Sequence, residues 1–380
     1  MGFKYVKSIL PPKTYYFSGS EAAAEGAITT GCRYFGGYPI TPATDIAEFF
    51  AMRSKDVGAI FIQMEDEIAS ICSMIGASWA GAKAMTATSG PGFSLMQEAI
   101  GYAAITETPI VIALVQRVSP STGQGTLPGS GEIMQAKWGS HGDYQVIALC
   151  PWSAQEMYDQ TINAFNLAEQ YRVPVILLAE AVVSRLEERV EVKEEVKIFD
   201  RIKETGITPL NLRLGDNRVQ PMPIFGEGHQ IKVTGSTRGY YYAGMPDAEV
   251  HSKLMDRLHG KILDNREKII EYDSHYIEDA EVVVVSYGFT ARSALFAIKG
   301  LRQDGKKVGM LRLKTLWPFA DRLIASIGSR VKKIFVPEMN RGQVAGEVMK
   351  YACSDVISYT QTNGEVILPD TITEELRRLL

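Results

Sequence analysis

Between residues 15 and 183 the chain alternates short apolar runs with longer segments whose apolar residues recur at helical spacing. The clearest strand is the unbroken apolar run from Pro109 to Gln116, and a second extends from Val173 to Ala179. Between them, Ser153 to Tyr171 has the periodicity of an amphipathic helix. Because continuous apolar runs suit strands covered on both faces, this part predicts a parallel sheet flanked by helices.

A second α/β unit is predicted from Glu281 onward. The pattern indicates strands at Val282–Val285, Val308–Leu313 and Lys333–Val336, and helices at Thr290–Leu301, Leu323–Ile327 and Gln343–Ala352. The predicted fold class is therefore α/β, with two doubly wound parallel-sheet domains.

The segment between the two units has a different composition. Thirteen of the 22 residues from Ser184 to Thr205 are charged with both signs interleaved, and proline and glycine become frequent from Gly206 to Pro246. A mixed-sign run is typical of a solvated connector. We predict a first domain over residues 1–200, a charged linker and irregular arm over 201–275, and a second domain over 276–380.

Composition excludes several classes of function. With 40 basic and 44 acidic residues and a net charge of −4, the chain has no electrostatic basis for binding nucleic acid or an anionic membrane. It has no apolar run long enough to span a membrane and no secretory leader, so we expect a cytoplasmic protein. The four cysteines contain no Cys-x-x-Cys pair, which argues against disulfides, zinc or an iron–sulfur cluster on this chain. Neither a Gly-x-Ser-x-Gly elbow nor a Walker loop is present.

Thr41 stands before Pro42 at a predicted strand-to-helix edge. Proline suits the first helical position and threonine the N-cap, which gives Thr41 a purely structural explanation. A threonine at such an edge also directs its hydroxyl into the crevice where open α/β sheets bind ligands. Both interpretations stay open at this point.

Glu67 is the last of three consecutive acids at the start of a predicted helix that is apolar on most sides. Carboxylates near a helix N-terminus are favoured by its dipole, which explains acids that face solvent. A carboxyl that enters the apolar region must instead be paired, protonated or used in function. Glu67 is nearest to the apolar residues and is the candidate for that role.

Two further segments follow predicted strands. Thr86 to Gly92 forms a glycine-rich turn before a helix predicted from Phe93 to Ala104, and it either binds an anion or only permits a tight turn. Arg117 lies just past the apolar strand, where it is suited to hold a carboxylate, with a surface ion pair as the alternative. We interpret His141, beside Asp143, as a structural hydrogen-bonding residue.

Six segments in order resemble the alpha subunit of 2-oxoacid:ferredoxin oxidoreductases, and most closely the 2-oxoglutarate type. They are Tyr38–Pro42, Gln63–Ala69, Thr86–Met96, Val115–Arg117, Gly139–Asp143 and Ala164–Ala168. Val284–Arg292 and Pro337–Gln343 extend the resemblance into the second unit. The family fold it implies is a pyrimidine-binding domain for thiamine diphosphate followed by a transketolase-C-terminal-like domain.

The resemblance also implies roles for individual residues. Glu67 matches the glutamate that hydrogen-bonds the aminopyrimidine ring and so promotes formation of the reactive ylid, which makes it the catalytic residue. Thr41 and Arg117 match substrate contacts that hold the carboxylate which leaves as carbon dioxide. The matching motifs further place Pro39, Ile40, Ser89 and Gly90 against the cofactor. No metal ligand is implied on this chain.

One family element is missing. The diphosphate and its Mg²⁺ need a Gly-Asp-Gly loop followed by asparagine, and the nearest string here is Gly215-Asp216-Asn217. The resemblance therefore implies a beta subunit with the diphosphate-binding domain, and partner subunits that carry Mg²⁺ and [4Fe-4S] clusters, with gamma and ferredoxin-like subunits among them. It also implies ferredoxin as electron acceptor, coenzyme A as co-substrate, and a hetero-oligomer built as a dimer of protomers.

The sequence leaves the substrate open. A tyrosine run within residues 233–242 replaces a more acidic stretch of the 2-oxoglutarate type, and the segment Ser119–Gly123 lacks a preceding glycine pair. Branched-chain, aryl and other 2-oxoacids therefore stay alternatives to 2-oxoglutarate. A non-catalytic scaffold or electron-transfer subunit is the alternative of another class, although Gly-x-Gly-x-x-Gly is absent after the first strand of either unit.

Overall fold

The computed structural model of the protein describes residues 3–203, 219–229, 232–237 and 247–380. The strands up to residue 200 are β1 (Lys4–Lys7), β2 (Thr14–Ser18), β3 (Cys32–Gly37), β4 (Ile60–Gln63), β5 (Lys83–Thr88), β6 (Ile110–Val118), β7 (Gln124–Pro128), β8 (Ile147–Leu149), β9 (Pro174–Glu180), β10 (Glu187–Glu191) and β11 (Glu195–Ile198). The helices are α1 (Gly19–Thr29), α2 (Thr44–Val57), α3 (Glu67–Trp79), α4 (Gly90–Leu95), α5 (Gln97–Thr106), α6 (Ile133–Trp138), α7 (Ala154–Tyr171) and α8 (Ala181–Arg185).

A parallel sheet forms the centre of this first part. Its strands lie in the order β8-β9-β6-β5-β3-β4, and every pairing among them is parallel. β6 and β9 are buried almost throughout, as their apolar sequences predict. α7 begins after Ser153, whose hydroxyl caps the helix by accepting a hydrogen bond from the Glu156 N–H at 3.2 Å, so the helix predicted from Ser153 to Tyr171 is confirmed.

Three predictions about local structure in this part are wrong. The helix predicted from Phe93 to Ala104 is divided at Met96 into α4 and α5. The glycine-rich composition from Ser119 to Gly131 predicts a long loop, but the segment contains β7, which pairs antiparallel with β6. The charged run after Ser184 forms β10 and β11, because its alternate valines and isoleucines are buried while charged neighbours face out.

The later elements build the second sheet. They are α9 (Ala248–Leu263), α10 (Arg266–Ile269), β12 (Tyr272–His275), β13 (Val282–Ser286), α11 (Gly288–Gln303), β14 (Val308–Leu313), β15 (Thr315–Trp317), α12 (Asp321–Gly328), β16 (Lys333–Glu338), α13 (Gln343–Tyr351), β17 (Asp355–Thr360) and α14 (Pro369–Leu379). The strand order is β12-β14-β13-β16-β17, parallel except for the antiparallel edge strand β12. The α/β class with two doubly wound sheets is confirmed.

The two sheets share contacts across a continuous apolar core. β15 pairs antiparallel with β8, so a segment from the second unit extends the first sheet. Ile112, Val283 and Trp317 belong to one buried cluster that spans both units. Beside it, the buried Arg312 guanidinium lies 3.5 Å from the Trp152 ring centroid and pairs with Asp273 at 2.9 Å. These contacts bring the edges of the two sheets together.

Some predictions lie beyond what the structure describes. Gly215–Asn217 and residues 238–242 of the tyrosine run are outside the described ranges. The domain boundaries stay predictions, although the predicted irregular arm contains the 16-residue helix α9. None of the helices in the described ranges is long and apolar enough to cross a bilayer. The expected cytoplasmic location stays a prediction.

Candidate functional site

The predicted site residues meet at one edge of the first sheet. β3, β5 and β6 are neighbouring parallel strands, so their carboxyl ends lie side by side. Thr41 follows β3, Ser89 and Gly90 follow β5, and Arg117 lies near the end of β6. Open α/β sheets bind ligands at this edge.

Glu67 is the first residue of α3 and is only 4% exposed. The N-terminus of α3 is capped by Asp66, whose carboxylate accepts a hydrogen bond from the Ala69 N–H at 2.7 Å. The Glu67 carboxyl is therefore not needed as the cap. Burial, with a smaller contribution from the neighbouring charge of Asp66, raises the pKa of Glu67. The interpretation of Glu67 as a surface acid is thereby wrong.

A glycine makes room for the Glu67 carboxyl. A Cβ atom built on Gly92 would collide with Glu67 Oε1 and with Thr88 Oγ1. The first turn of α4 therefore passes directly over the carboxyl and the threonine hydroxyl. Thr88 Oγ1 and the neighbouring Ser89 Oγ are buried and have no hydrogen-bond partner among the described residues. Glycine at this position is explained by close approach rather than by turn geometry alone.

Arg117 is 5% exposed and points toward the segment after β3. Its Nη1 donates a hydrogen bond to the Thr41 carbonyl oxygen at 2.5 Å, while its Nε is buried without a partner. Gly90 lies alongside, since a Cβ there would be 3.2 Å from Arg117 Nε. Within the described ranges Arg117 forms no ion pair, so the surface ion-pair alternative is wrong. The guanidinium keeps donors for a ligand.

Thr41 is not the cap of α2. The helix begins at Thr44, and its N-cap residue Ala43 makes no side-chain capping hydrogen bond. Thr41 is exposed in the preceding turn, where the Ile40 carbonyl accepts hydrogen bonds from Ala43 and Thr44 at 2.8 and 3.0 Å. The N-cap interpretation is therefore wrong, as is the placement of Pro42 at the first helical position. The substrate-binding role of Thr41 stays a prediction.

Three other residues named from the sequence, Pro39, Ile40 and His141, lie at or near the surface. Pro39 is exposed, and Ile40 packs partly buried against the core between the sheet and α1, α2 and α7. His141 is exposed, and its Nδ1 lies 2.7 Å from Ser140 Oγ. That contact fits the structural interpretation of His141.

A further buried acid, Glu132, precedes α6 and was not predicted from the sequence. This residue is 3% exposed, and neither carboxylate oxygen has a hydrogen-bond partner in the described structure. Burial raises the pKa of Glu132 to about 7, against the opposing effect of the Arg117 charge. The only sequence signal was an acid directly after the glycine-rich segment and before two apolar residues.

Unpaired buried atoms are concentrated at this edge. In the part of the chain that the structure describes, seven buried side-chain nitrogen and oxygen atoms without hydrogen-bond partners belong to Thr88, Ser89, Gln116, Arg117 and Glu132. Because buried polar atoms are normally hydrogen-bonded, such a concentration indicates a place for a ligand or water. The buried Glu67 carboxyl and the unpaired donors beside it suit a polar ligand that both donates and accepts hydrogen bonds. In the described part of the chain, no three His, Cys, Asp or Glu residues could together hold a metal ion.

Two family models match the chain. Residues 25–257 match pyruvate flavodoxin/ferredoxin oxidoreductase, thiamine diphosphate-binding, and residues 280–372 match core domain II of pyruvate:ferredoxin oxidoreductase. A 2-oxoglutarate synthase subunit KorA from Methanocaldococcus jannaschii is 48% identical, over 96% of this chain and 97% of that protein. A ketoisovalerate oxidoreductase subunit VorB from Methanothermobacter marburgensis is 32% identical, over 96% of this chain and 98% of its own.

Solved structures agree with these matches. A 2-oxoglutarate:ferredoxin oxidoreductase from Magnetococcus marinus, determined with 2-oxoglutarate, coenzyme A and succinyl-CoA bound, superimposes with a TM-score of 0.92 at 30% identity. The match covers 97% of this chain but only 65% of that one. A split-gene transketolase shares only the fold, with a TM-score of 0.53 at 10% identity. The chain belongs to the 2-oxoacid:ferredoxin oxidoreductases, as an alpha subunit of the KorA type.

Proposed function

We propose that this chain provides the pyrimidine-binding half of a thiamine diphosphate site in a 2-oxoglutarate:ferredoxin oxidoreductase. The complex would convert 2-oxoglutarate and coenzyme A to succinyl-CoA and carbon dioxide, pass two electrons to ferredoxin, and catalyse the reverse. The observation that carries this proposal is the buried Glu67 carboxyl, which has no cationic partner among the described residues and lies under a glycine turn at the ligand edge. The KorA relatives and the 2-oxoglutarate-bound neighbour support the choice of substrate.

Glu67 would act on the pyrimidine ring. Burial raises the pKa of Glu67, which makes the protonated form easier to reach than in a surface glutamate, and a carboxylic acid can donate a hydrogen bond to a ring nitrogen that a carboxylate would repel. When bound, the coenzyme supplies the nucleophilic carbon and the electron sink for decarboxylation. The contribution of Glu67 is to hold a proton at the ring nitrogen in a place that solvent hardly reaches.

Arg117 would bind the carboxylate of the 2-oxoacid. The hydrogen bond to the Thr41 carbonyl fixes the guanidinium, and the unpartnered Nε is a donor already removed from water. A fixed guanidinium can hold a carboxylate by two parallel hydrogen bonds. Thr41, Pro39 and Ile40 would form the adjoining wall, while Ser89 and Gly90 complete the other side of the coenzyme pocket.

The other half of the site would come from a beta subunit. The sequence contains no Gly-Asp-Gly motif, so the diphosphate and Mg²⁺ need donors from another chain. The exposed apolar side chains of Tyr38, Ile60, Ile62, Ile68 and Leu95 lie on or next to the elements that flank Glu67 and suit a subunit interface. Further subunits would hold the [4Fe-4S] clusters and receive ferredoxin, in a dimer of protomers.

Two alternatives give different outcomes. The VorB relative favours a branched-chain 2-oxoacid as second candidate, although its identity to this chain is lower than that of KorA. A scaffold subunit without a catalytic role gives no reason for unpaired buried acids at the ligand edge.

The experiment is turnover of the co-purified complex with 2-oxoglutarate, pyruvate, 2-oxoisovalerate and an aryl 2-oxoacid. We expect kcat/KM to be highest for 2-oxoglutarate, and preference for another acid would contradict the proposed substrate.

A further inference from the structure

Glu132 is held in place by the second unit of the chain. The segment from Ser130 to Met134 receives hydrogen bonds from Asn340 Nδ2 to the Ser130 carbonyl at 2.8 Å and from Gln343 Nε2 to the Gly131 carbonyl at 2.7 Å. The Met134 N–H in turn donates to Gln343 Oε1 at 2.9 Å. These contacts occupy the peptide groups on both sides of Glu132, whose carboxylate oxygens accept no hydrogen bond of good geometry from the described residues.

The holding residues are themselves fixed by a closed network. The Asn340 side chain donates to the Tyr287 hydroxyl at 2.8 Å, and its Oδ1 accepts from the N–H groups of Gly342 and Gln343 at 2.9 Å each. The Tyr287 hydroxyl donates to Glu338 Oε1 at 2.9 Å. This network fixes Asn340 and Gln343, and through them the backbone on both sides of Glu132, so the Glu132 carboxyl is held in a defined position.

Arg117 supplies the charge that acts on Glu132. The other charged side chains near this segment have partners of their own or are exposed to solvent. Lys137 on α6 donates to Gln145 Oε1 at 2.6 Å, Glu347 on α13 pairs with Lys350, and Arg341 is exposed beside a cavity of 340 Å³ between the two units. Arg117 and Glu132 are therefore two buried groups of opposite charge, each with unpaired atoms, at one end of the sheet.

We propose that Glu132 is a positioning residue of the substrate pocket, ionised opposite Arg117 when no substrate is bound and protonated when a substrate carboxylate binds Arg117. This inference rests on the proposed role of Arg117. A carboxylate that enters the pocket adds one negative charge to a region of low dielectric, where an excess charge is costly. Uptake of one proton from solvent by the Glu132 carboxylate restores the balance. When the substrate carboxylate has left as neutral carbon dioxide, the proton returns to solvent.

The pKa of Glu132 lies in the range where its carboxyl can gain and lose a proton near neutral pH. Burial raises its pKa to about 7, and the charge of Arg117 together with the peptide N–H groups of Glu132 and Gly131 opposes that rise. Neutralising Arg117 with a carboxylate removes one of the opposing influences, so the pKa rises further on binding. A carboxyl with a pKa near 7 is about nine-tenths ionised at pH 8 and about one-tenth ionised at pH 6, so binding can be accompanied by at most about 0.9 proton per site at pH 8 and about 0.1 at pH 6.

The test is calorimetric titration of the assembled complex with N-oxalylglycine, an unreactive isostere of 2-oxoglutarate. Titration at pH 8 in two buffers of different ionisation enthalpy gives the number of protons taken up. For the wild type we expect clear proton uptake at pH 8, up to about 0.9 per site, and no more than about 0.1 per site at pH 6. We expect none for Glu132→Gln. In the wild type, KM for 2-oxoglutarate should rise above pH 7, because Glu132 is then ionised and must take up a proton on binding. In Glu132→Gln this rise should be absent.

A matched control is Glu25→Gln. Glu25 is 1% exposed, has a raised pKa and one unpaired oxygen, and lies on α1, where it pairs with Arg53. This variant should keep the wild-type proton uptake. Binding of N-oxalylglycine without proton uptake by the wild type would overturn the role of Glu132 alone, even if Glu132→Gln failed to assemble. Uptake that persists in Glu132→Gln would also overturn it. Failure of N-oxalylglycine to compete with 2-oxoglutarate would instead overturn the proposed function, and the inference with it.

Discussion

Arg117 Nη1 donates a hydrogen bond to the carbonyl oxygen of Thr41 at 2.5 Å, which joins the end of β6 to the turn between β3 and α2. The two residues are 76 positions apart, and the sheet topology brings them together. Because the bond uses the Thr41 main chain, it orients Arg117 without using the threonine hydroxyl. The guanidinium is thereby held before a substrate arrives, which lowers the cost of ordering it.

Substitution of Arg117 should affect substrate use more than assembly. Arg117→Ala removes the proposed carboxylate partner, and we expect a loss of about 2–5 kcal/mol in kcat/KM, because a buried charge on the substrate is left unpaired. Arg117→Lys is the matched variant, since it keeps the charge but loses the planar fork, and its loss should be intermediate. Steady-state kinetics of the complex with 2-oxoglutarate provides the measurement. Unchanged kinetics for Arg117→Ala would exclude a substrate contact.

Gly92→Ala should disturb the site because a methyl group there collides with the Glu67 carboxyl and the Thr88 hydroxyl. We expect activity that needs a higher thiamine diphosphate concentration for half-saturation, by about tenfold or more, which corresponds to about 1.4 kcal/mol. The control is Gly76→Ala in α3, where a Cβ would meet nothing within 4 Å. That variant should retain activity and unfold at an equal or higher temperature, since alanine favours a helix by about 0.5–1 kcal/mol. Equal behaviour of the two variants would contradict close packing of Glu67 under α4.

The separated chain should bind thiamine diphosphate poorly. Its sequence lacks the diphosphate motif, and the proposed site needs a beta subunit to complete it. Isothermal titration of the purified chain with thiamine diphosphate and Mg²⁺ should give no saturable heat at micromolar concentrations, whereas the co-purified complex should retain or bind the coenzyme. Tight stoichiometric binding by this chain alone would contradict the divided site.

Glu180 should make stability depend on pH. Its carboxylate, 2% exposed, accepts a hydrogen bond from the Phe289 N–H at 2.6 Å, and burial raises its pKa to about 8. The folded state therefore binds a proton that the unfolded state releases above its ordinary pKa, near 4.5. The free energy of unfolding should fall as pH rises from about 4.5 toward 8.

Glu180→Gln removes this proton-linked contribution while keeping an acceptor oxygen for Phe289. We expect the melting temperature of the variant complex, relative to wild type, to rise between pH 5.5 and pH 8.5. Thermal unfolding at both pH values is the measurement. A difference between variant and wild type that is the same at both pH values would show that Glu180 does not titrate in this range.

Local patterns predicted much of the fold. The strand predicted at Val308–Leu313 has the same bounds as β14, and the helix predicted from Ser153 to Tyr171 is α7. Glu67 was found because an acid next to an apolar helical face has few structural uses. These features depend on residues close together in the chain, which is why the sequence alone could indicate them.

Features that depend on distant contacts were missed. Glu132 is buried because Asn340 and Gln343 hold its segment, across 210 and 212 positions of sequence. The charged run after Ser184 becomes two strands because β10 pairs with β2 and β11 with β1, at the other end of the first unit. No local pattern marks such pairings, since they arise only when the chain has folded.

The central claim is that the Glu67 carboxyl holds a proton against the coenzyme's pyrimidine ring. The most direct measurement is turnover of 2-oxoglutarate by the co-purified complex carrying Glu67→Gln, with bound thiamine diphosphate and subunit composition determined on the same sample. We predict a normally assembled complex whose kcat falls by at least about 100-fold, as expected when a positioned acid–base group is lost. Near-normal turnover by the assembled variant would contradict the claim.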